Sequence, residues 1–210
     1  MTDTNETIDL CIDLLIDASG SMFPRRNIVI SGLNEFIQEQ KKNVQPGTKC
    51  CASLYFFNTT MKTIFEDKDI STIENIHEND YEPNGCTALY DAFGDCLQKI
   101  KNYPNHLKKP KRILLVMTDG LENSSLRMTS TSLNNLIEET KQDVKIIYMG
   151  SNQDAITNGQ FMGAERNASL QYRDELLGEA IRSTTQAIGR VVSGQSETVV
   201  FTQQEREYSY

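Results

Sequence analysis

Two apolar runs that lie far apart in this chain both stop abruptly at an aspartate. Ile8 to Ile16 ends at Asp17, and Arg112 to Thr118 ends at Asp119 and Gly120. Runs this apolar, rich in β-branched residues and lacking a polar stripe, suit parallel strands covered on both faces. In an open α/β sheet, ligands collect outside the carboxyl ends of the strands. Both aspartates are therefore expected to face one crevice.

The segments between and after these runs alternate in the way such a sheet requires. A helix is expected from about Arg25 to Lys41, with Val29, Leu33, Phe36 and Ile37 as its apolar stripe. Cys50 to Phe57 reads as a strand, and Asn58, Thr59 and Thr60 as a tight turn into a short strand, Met61 to Phe65. Residues 67–80 are polar, with one helical turn near Ile73. A helix over Ala88 to Lys101, a second helix carrying Leu133, Leu136 and Ile137, and a strand over Val144 to Met149 follow. A short helix near Asp154 to Gln160, a short strand near Ser169 to Tyr172 and a long helix from Asp174 to Val191 complete the pattern. The fold class expected is α/β: a Rossmann-like, doubly wound, mostly parallel sheet with one short antiparallel edge strand and helices on both faces. One domain is expected over residues 1–192, followed by a tail over 193–210. That tail is polar apart from Val199, Val200 and Phe201, and is open to being flexible, an added edge strand or a partner-binding segment.

The candidate functional residues cluster where the apolar runs end. Asp17 is followed by Ser19 and Ser21, and Asp119 closes the second run; Thr87 follows Glu82, Pro83, Asn84, Gly85 and Cys86, just where an amphipathic helix begins. The five offer three hydroxyls and two carboxylates, an all-oxygen set that suits hard cations such as Mg²⁺ or Mn²⁺. Only two of the groups carry charge, so a bound divalent ion stays electrophilic towards a further anionic ligand. Taken singly, each residue also has an ordinary use. Asp17 and Ser19 can order a loop, Thr87 can cap the helix that follows it, and Asp119 can open a turn.

The runs DASGSM, GCTALYDA and LLVMTDGLENSS resemble, in that order, the metal-ion-dependent adhesion site of von Willebrand factor type A domains. All five positions of the family pattern are present, and the element order agrees over roughly residues 8 to 191. The stretches TDGLENSS and GSNQDAI (150–156) are more similar to the stand-alone, intracellular bacterial branch than to secreted adhesion proteins. The resemblance implies that Ser19 and Ser21 contact a metal directly, that Asp17 orients hydroxyls and waters behind them, and that Thr87 and Asp119 exchange direct coordination between states. It also implies a partner protein whose Asp or Glu supplies the last ligand. Similar domains work beside AAA+ ATPases and in stress or defence systems, and partners of either kind are expected.

Composition narrows the alternatives. A net charge of -8 and a pI near 4.9 oppose non-specific binding to nucleic acid or to an anionic membrane. The basic cluster Lys108 to Arg112 is expected to be a solvated loop at the sheet end away from the metal residues. The N-terminal run has neither a basic region nor an apolar stretch, so a cytoplasmic protein is expected. Five cysteines, with Cys50 and Cys51 adjacent and no CxxC, read as reduced thiols rather than a disulfide framework. Asp13, inside the first strand, is expected to be solvated or paired, because a lone buried carboxylate is costly. A Mg²⁺-dependent phosphoesterase is a second reading, since an Asp at a strand end beside a metal also fits aspartyl-phosphate chemistry. Against it, Ser19 stands where an acid-base carboxylate would be wanted, and His77 and His106 lie in polar segments, so no catalytic activity is expected. A structural or virion-type interaction protein that ignores the metal is a third.

Overall fold

The structure is a computed structural model and describes residues 8–104, 106–151 and 154–210. Six strands, β1 (Leu10–Asp17), β2 (Cys50–Phe57), β3 (Met61–Asp69), β4 (Lys111–Thr118), β5 (Val144–Gly150) and β6 (Ser169–Gln171), form one sheet in the order β3-β2-β1-β4-β5-β6. All neighbours are parallel except β2 and β3. Among the described residues the α-helices are α1 (Arg26–Asn43), α2 (Leu89–Lys101), α3 (Ser130–Thr140), α4 (Ala155–Phe161), α5 (Leu177–Val192) and α6 (Gln203–Ser209). This is the expected α/β architecture, including the antiparallel edge strand.

The alternation along β1 shows why its sequence looks apolar throughout. Leu10, Ile12, Leu14 and Ile16 point into a core shared with Val29, Leu33, Phe36 and Ile37 of α1 and with Ala180, Ile181 and Ile188 of α5. Leu15 points the other way, into a core with Phe93 and Leu97 of α2 and Leu133 and Ile137 of α3. With both faces covered, both are apolar apart from Asp13, whose charge is paired, and the terminal Asp17. From β1 the chain winds through α1 to β2 on one side, and from β4 through α3 to β5 on the other. The winding direction therefore reverses between β1 and β4, where their carboxyl ends open a crevice.

Three details depart from the sequence reading. β3 runs on to Asp69, because a register irregularity opposite Ala52 and Leu54 and a left-handed Asp67 (φ 43°) let the chain rejoin the ladder. Cys11 and Cys51, expected as free thiols, form a disulfide; the β1–β2 register sets them directly opposite, with Cα atoms 4.7 Å apart. Cys50, Cys86 and Cys96 are free, and Cys86 is exposed. Third, Arg112, counted in the basic cluster as well as at the start of the second apolar run, is not solvated: it lies within β4 and reaches across to Asp13, at 2.9 and 3.1 Å, and to Asp67 at 3.0 Å. Asp13 is thus paired, in the interior of the strand.

The 193–210 stretch folds back on the domain. Val199 and Phe201 join the core on the α1/α5 face, while α6 packs on α5. Thr202 and Glu205 form a reciprocal cap at the start of α6, and Glu205 is held by Arg190 of α5 at 2.7 and 2.9 Å. Burial works to raise the Glu205 carboxyl, but the bonds from Arg190 and Thr202 outweigh it and hold the group below its ordinary 4.5. A depressed carboxylate stabilises above its unfolded pKa, and that stabilisation is lost as pH falls through the folded value. Amide exchange over residues 203–209 should therefore accelerate as pH falls below the ordinary carboxyl value of 4.5, after correction for intrinsic rates. In Arg190→Gln the protection should already be low at neutral pH; protection indifferent to both changes would contradict the role of this pair.

Candidate metal centre

The crevice between β1 and β4 brings the sequence-predicted residues together. Asp17 ends β1 and is fully buried. Its Oδ1 accepts the Ser19 backbone N–H at 2.7 Å, and its Oδ2 accepts the Thr118 hydroxyl from β4 at 2.6 Å. None of these partners is charged, and burial pushes the Asp17 carboxyl above its ordinary value against the opposing hydrogen bonds. Ser19 Oγ lies 3.1 Å from Ser21 Oγ, which in turn donates to Asp119 Oδ1 at 2.7 Å. The hydroxyls and the second carboxylate therefore form a continuous chain along the mouth of the crevice.

Thr87 arrives from the third loop. Its N–H donates to Asn123 Oδ1 at 2.9 Å and its carbonyl accepts the Asn123 N–H at 3.1 Å. A Cβ built on Gly120 would sit 3.7 Å from the Thr87 hydroxyl, so that hydroxyl faces the backbone next to Asp119. It does not cap α2, whose first-turn amides of Tyr90 and Asp91 are met instead by Glu122 and Ser125, and among the described residues it has no hydrogen-bond partner. Of the two uses the sequence leaves open for Thr87, the structure removes the capping one.

Local chemistry fixes the three loops to one another. Gly20 N–H donates to Gly85 O at 3.1 Å, and Asn84 N–H to Ala18 O at 2.9 Å. Gly85 takes φ +71°, and a Cβ there would lie 2.9 Å from Thr59 Oγ1, so both backbone and space call for glycine. Beneath the crevice, the Tyr81 hydroxyl donates to Asp17 O at 2.5 Å and the Tyr172 hydroxyl to Thr118 O at 3.2 Å, pinning both strand ends. The TDGLENSS loop is organised by Glu122, whose carboxylate accepts from the N–H groups of Tyr90, Ser124 and Ser125 at 2.6–2.8 Å. Asp91 does the same for the amides of Leu126, Arg127 and Met128. Of the GSNQDAI stretch, Asn152 and Gln153 lie outside the described residues.

One residue of the centre escaped the sequence reading. Arg25 Nη1 lies 2.8 Å from Asp119 Oδ2 and 2.7 Å from Ser21 O, while Nη2 pairs with Asp174 ahead of α5. The sequence signal was slight, an arginine four positions beyond Ser21 at the start of a helix.

The donor set fits a hard divalent cation. Asp17 is a buried carboxylate without a cationic partner, the Thr87 hydroxyl has no partner among the described residues, and the five sequence-predicted groups all offer oxygen, with the Arg25 guanidinium beside Asp119. A group of Cys11, Cys51 and Asp67 also converges at the opposite end of the sheet. There the sulfurs are joined to each other and Asp67 is engaged by Arg112, so it offers no comparable set of free ligands.

This is the fold of von Willebrand factor type A domains. No family model matches the sequence, and no curated protein does. Solved structures do. The von Willebrand factor type A protein from Catenulispora acidiphila matches with TM-score 0.58 and 15% identity over 90% of this chain and 43% of its own. The ArnB paralog VWA2 from Sulfolobus acidocaldarius matches with TM-score 0.58 and 18% identity over 84% and 45%. Proximal thread matrix protein 1 from the mussel byssus, in a structure with its zinc-occupied MIDAS motif, matches with TM-score 0.62 and 15% identity over 89% and 48%. The chain thus spans less than half the length of these proteins. Among the described residues, no helix is long and apolar enough to cross a membrane.

Proposed function

We propose that this chain is a divalent-cation-dependent protein-interaction module that grips an Asp or Glu of its partner through Asp17, Ser19, Ser21, Thr87 and Asp119. The observation that carries this reading is the convergence of hydroxyls and carboxylates from three separate loops at the mouth of the β1–β4 crevice. Ser19 and Ser21 present neutral oxygens to the cation, Mg²⁺ or Mn²⁺, without quenching its charge. Asp17 sits behind them and orients Ser19 through its N–H, the role of a second layer of ligands. Thr87 and Asp119 flank the opening. A bound cation would supply an electrophilic position for one incoming carboxylate oxygen. With the chain at net charge -8, attraction of an acidic ligand has to be local to that position.

Catalysis is not part of the proposal. The polar partners of Asp17 are Ser19 and Thr118, neither of which is an acid-base group at neutral pH, and His77 is exposed in a turn where its backbone N–H bonds Asp80. The test is partner capture from a lysate on the immobilised chain, in Mg²⁺ and in EDTA, followed by Asp→Asn or Glu→Gln changes at the partner's contact residue. EDTA and the partner change should each abolish binding, and together should cost no more than either alone. Capture indifferent to EDTA, or losses that add in full, would refute a metal bridge.

A further inference from the structure

Arg25 stands between the proposed metal ligands and the last long helix. It lies in the 3-10 turn Gly20–Arg25 that follows the two serines, and its guanidinium reaches back over the crevice. Nη1 holds Asp119 Oδ2 and Ser21 O, Nη2 holds Asp174, and Nε is buried with no partner. The Asp119 side chain is 4% exposed and that of Arg25 16%, so solvent screens this pair far less than a surface ion pair. Asp174 opens the turn Asp174–Leu176 that leads into α5. A planar fork holds two carboxylates in a fixed geometry, which a lysine ammonium on a flexible stem does not impose.

Taking the metal reading above as its basis, we infer that Arg25 is a built-in competitor of the divalent cation for Asp119, and that Asp174 sets how strongly it competes. One guanidinium is shared between a carboxylate of the metal centre and a carboxylate at the start of α5. Whatever draws Asp119 away releases Arg25 towards Asp174, and whatever strengthens the Asp174 contact frees Asp119 for a cation. The metal centre and the entry to α5 are thereby linked through one side chain, and the link has a sign.

Mn²⁺ binding to the full chain, followed by paramagnetic resonance of the free ion at two salt concentrations, tests this. Arg25→Gln removes the competing charge and should tighten Mn²⁺ binding by about tenfold. Asp174→Asn throws the guanidinium wholly onto Asp119 and should weaken binding several-fold in the wild type, yet change nothing in the Arg25→Gln background. Arg25→Lys keeps the charge but loses the fork; it should bind near the wild-type level and be insensitive to Asp174→Asn, which keeps the test decisive if the glutamine variant folds poorly. Amide exchange in residues 174–177 should respond to Mn²⁺ in the wild type and not in Arg25→Gln. Unchanged or weaker affinity in Arg25→Gln, or an equal effect of Asp174→Asn in every background, overturns the inference while leaving the metal centre standing. Absence of Mn²⁺ binding in the wild type and every variant overturns both.

Discussion

Arg112→Ala is expected to destabilise the domain by about 3–5 kcal/mol, because it strands a buried carboxylate. Asp13 is 2% exposed in the middle of β1, and Arg112 supplies two hydrogen bonds to it from the neighbouring strand. Burial already pushes the Asp13 carboxyl up, with Arg112 as the main opposing influence. Without Arg112 the group can avoid part of the cost only by taking up a proton. An acid whose folded pKa is raised loses stability as pH rises from its unfolded value, 3.8, towards the folded one. The penalty of Arg112→Ala should therefore be smallest in acid and grow towards neutrality. The double variant Asp13→Asn/Arg112→Met should recover most of the loss, since it leaves no buried charge uncompensated, and Asp67, which also loses Arg112, is open to solvent. Urea denaturation of the three variants at two pH values measures this; a loss below about 1 kcal/mol for Arg112→Ala at neutral pH would mean that water reaches Asp13.

Millimolar Mg²⁺ should raise the melting temperature, and the response should vanish in Ser19→Ala/Ser21→Ala. A ligand that binds the native state alone stabilises by about 2.7 kcal/mol at a hundred-fold excess over its Kd. For a domain of this size that corresponds to roughly 5–10 °C. The serines are small and sit at the edge of the crevice, so the metal-free double variant should melt close to the metal-free wild type. Equal metal responses in the two proteins would remove Ser19 and Ser21 from the ligand set.

The elements that sequence placed well share one property, a pattern set by two covered faces. The sequence places β2 at Cys50–Phe57, and α2 within one residue of its start, because their apolar residues recur with the period of a buried strand and an amphipathic helix. The features it missed depend on register. The disulfide joins Cys11 to Cys51 across a separation of 40 positions, a proximity created only when β1 and β2 align. Arg112 reads as the end of a basic loop until β4 is set beside β1, after which it is the counter-ion of Asp13. In the candidate metal centre, Asp17, Ser19, Ser21, Thr87 and Asp119 are readable as chemistry at the ends of elements. Arg25 is not, because its importance comes from two carboxylates that meet it only in three dimensions.

The course of the last residues has a practical consequence for anyone attaching something to this chain. Arg173 donates its backbone N–H to Ser209 O at 2.9 Å, its guanidinium bonds Tyr210 O at 2.5 Å, and it lies over the Tyr210 ring at 5.4 Å. Residue 210 is thus moored beside the residue that precedes Asp174, at the carboxyl end of β6 and on the same rim of the sheet as the crevice. A fluorophore joined there would work as a nearby reporter on the rim. A bulky fusion at the same point would be launched across the mouth of the crevice, the approach the proposed partner would use, whereas one joined through an exposed loop at the opposite rim would leave that mouth open.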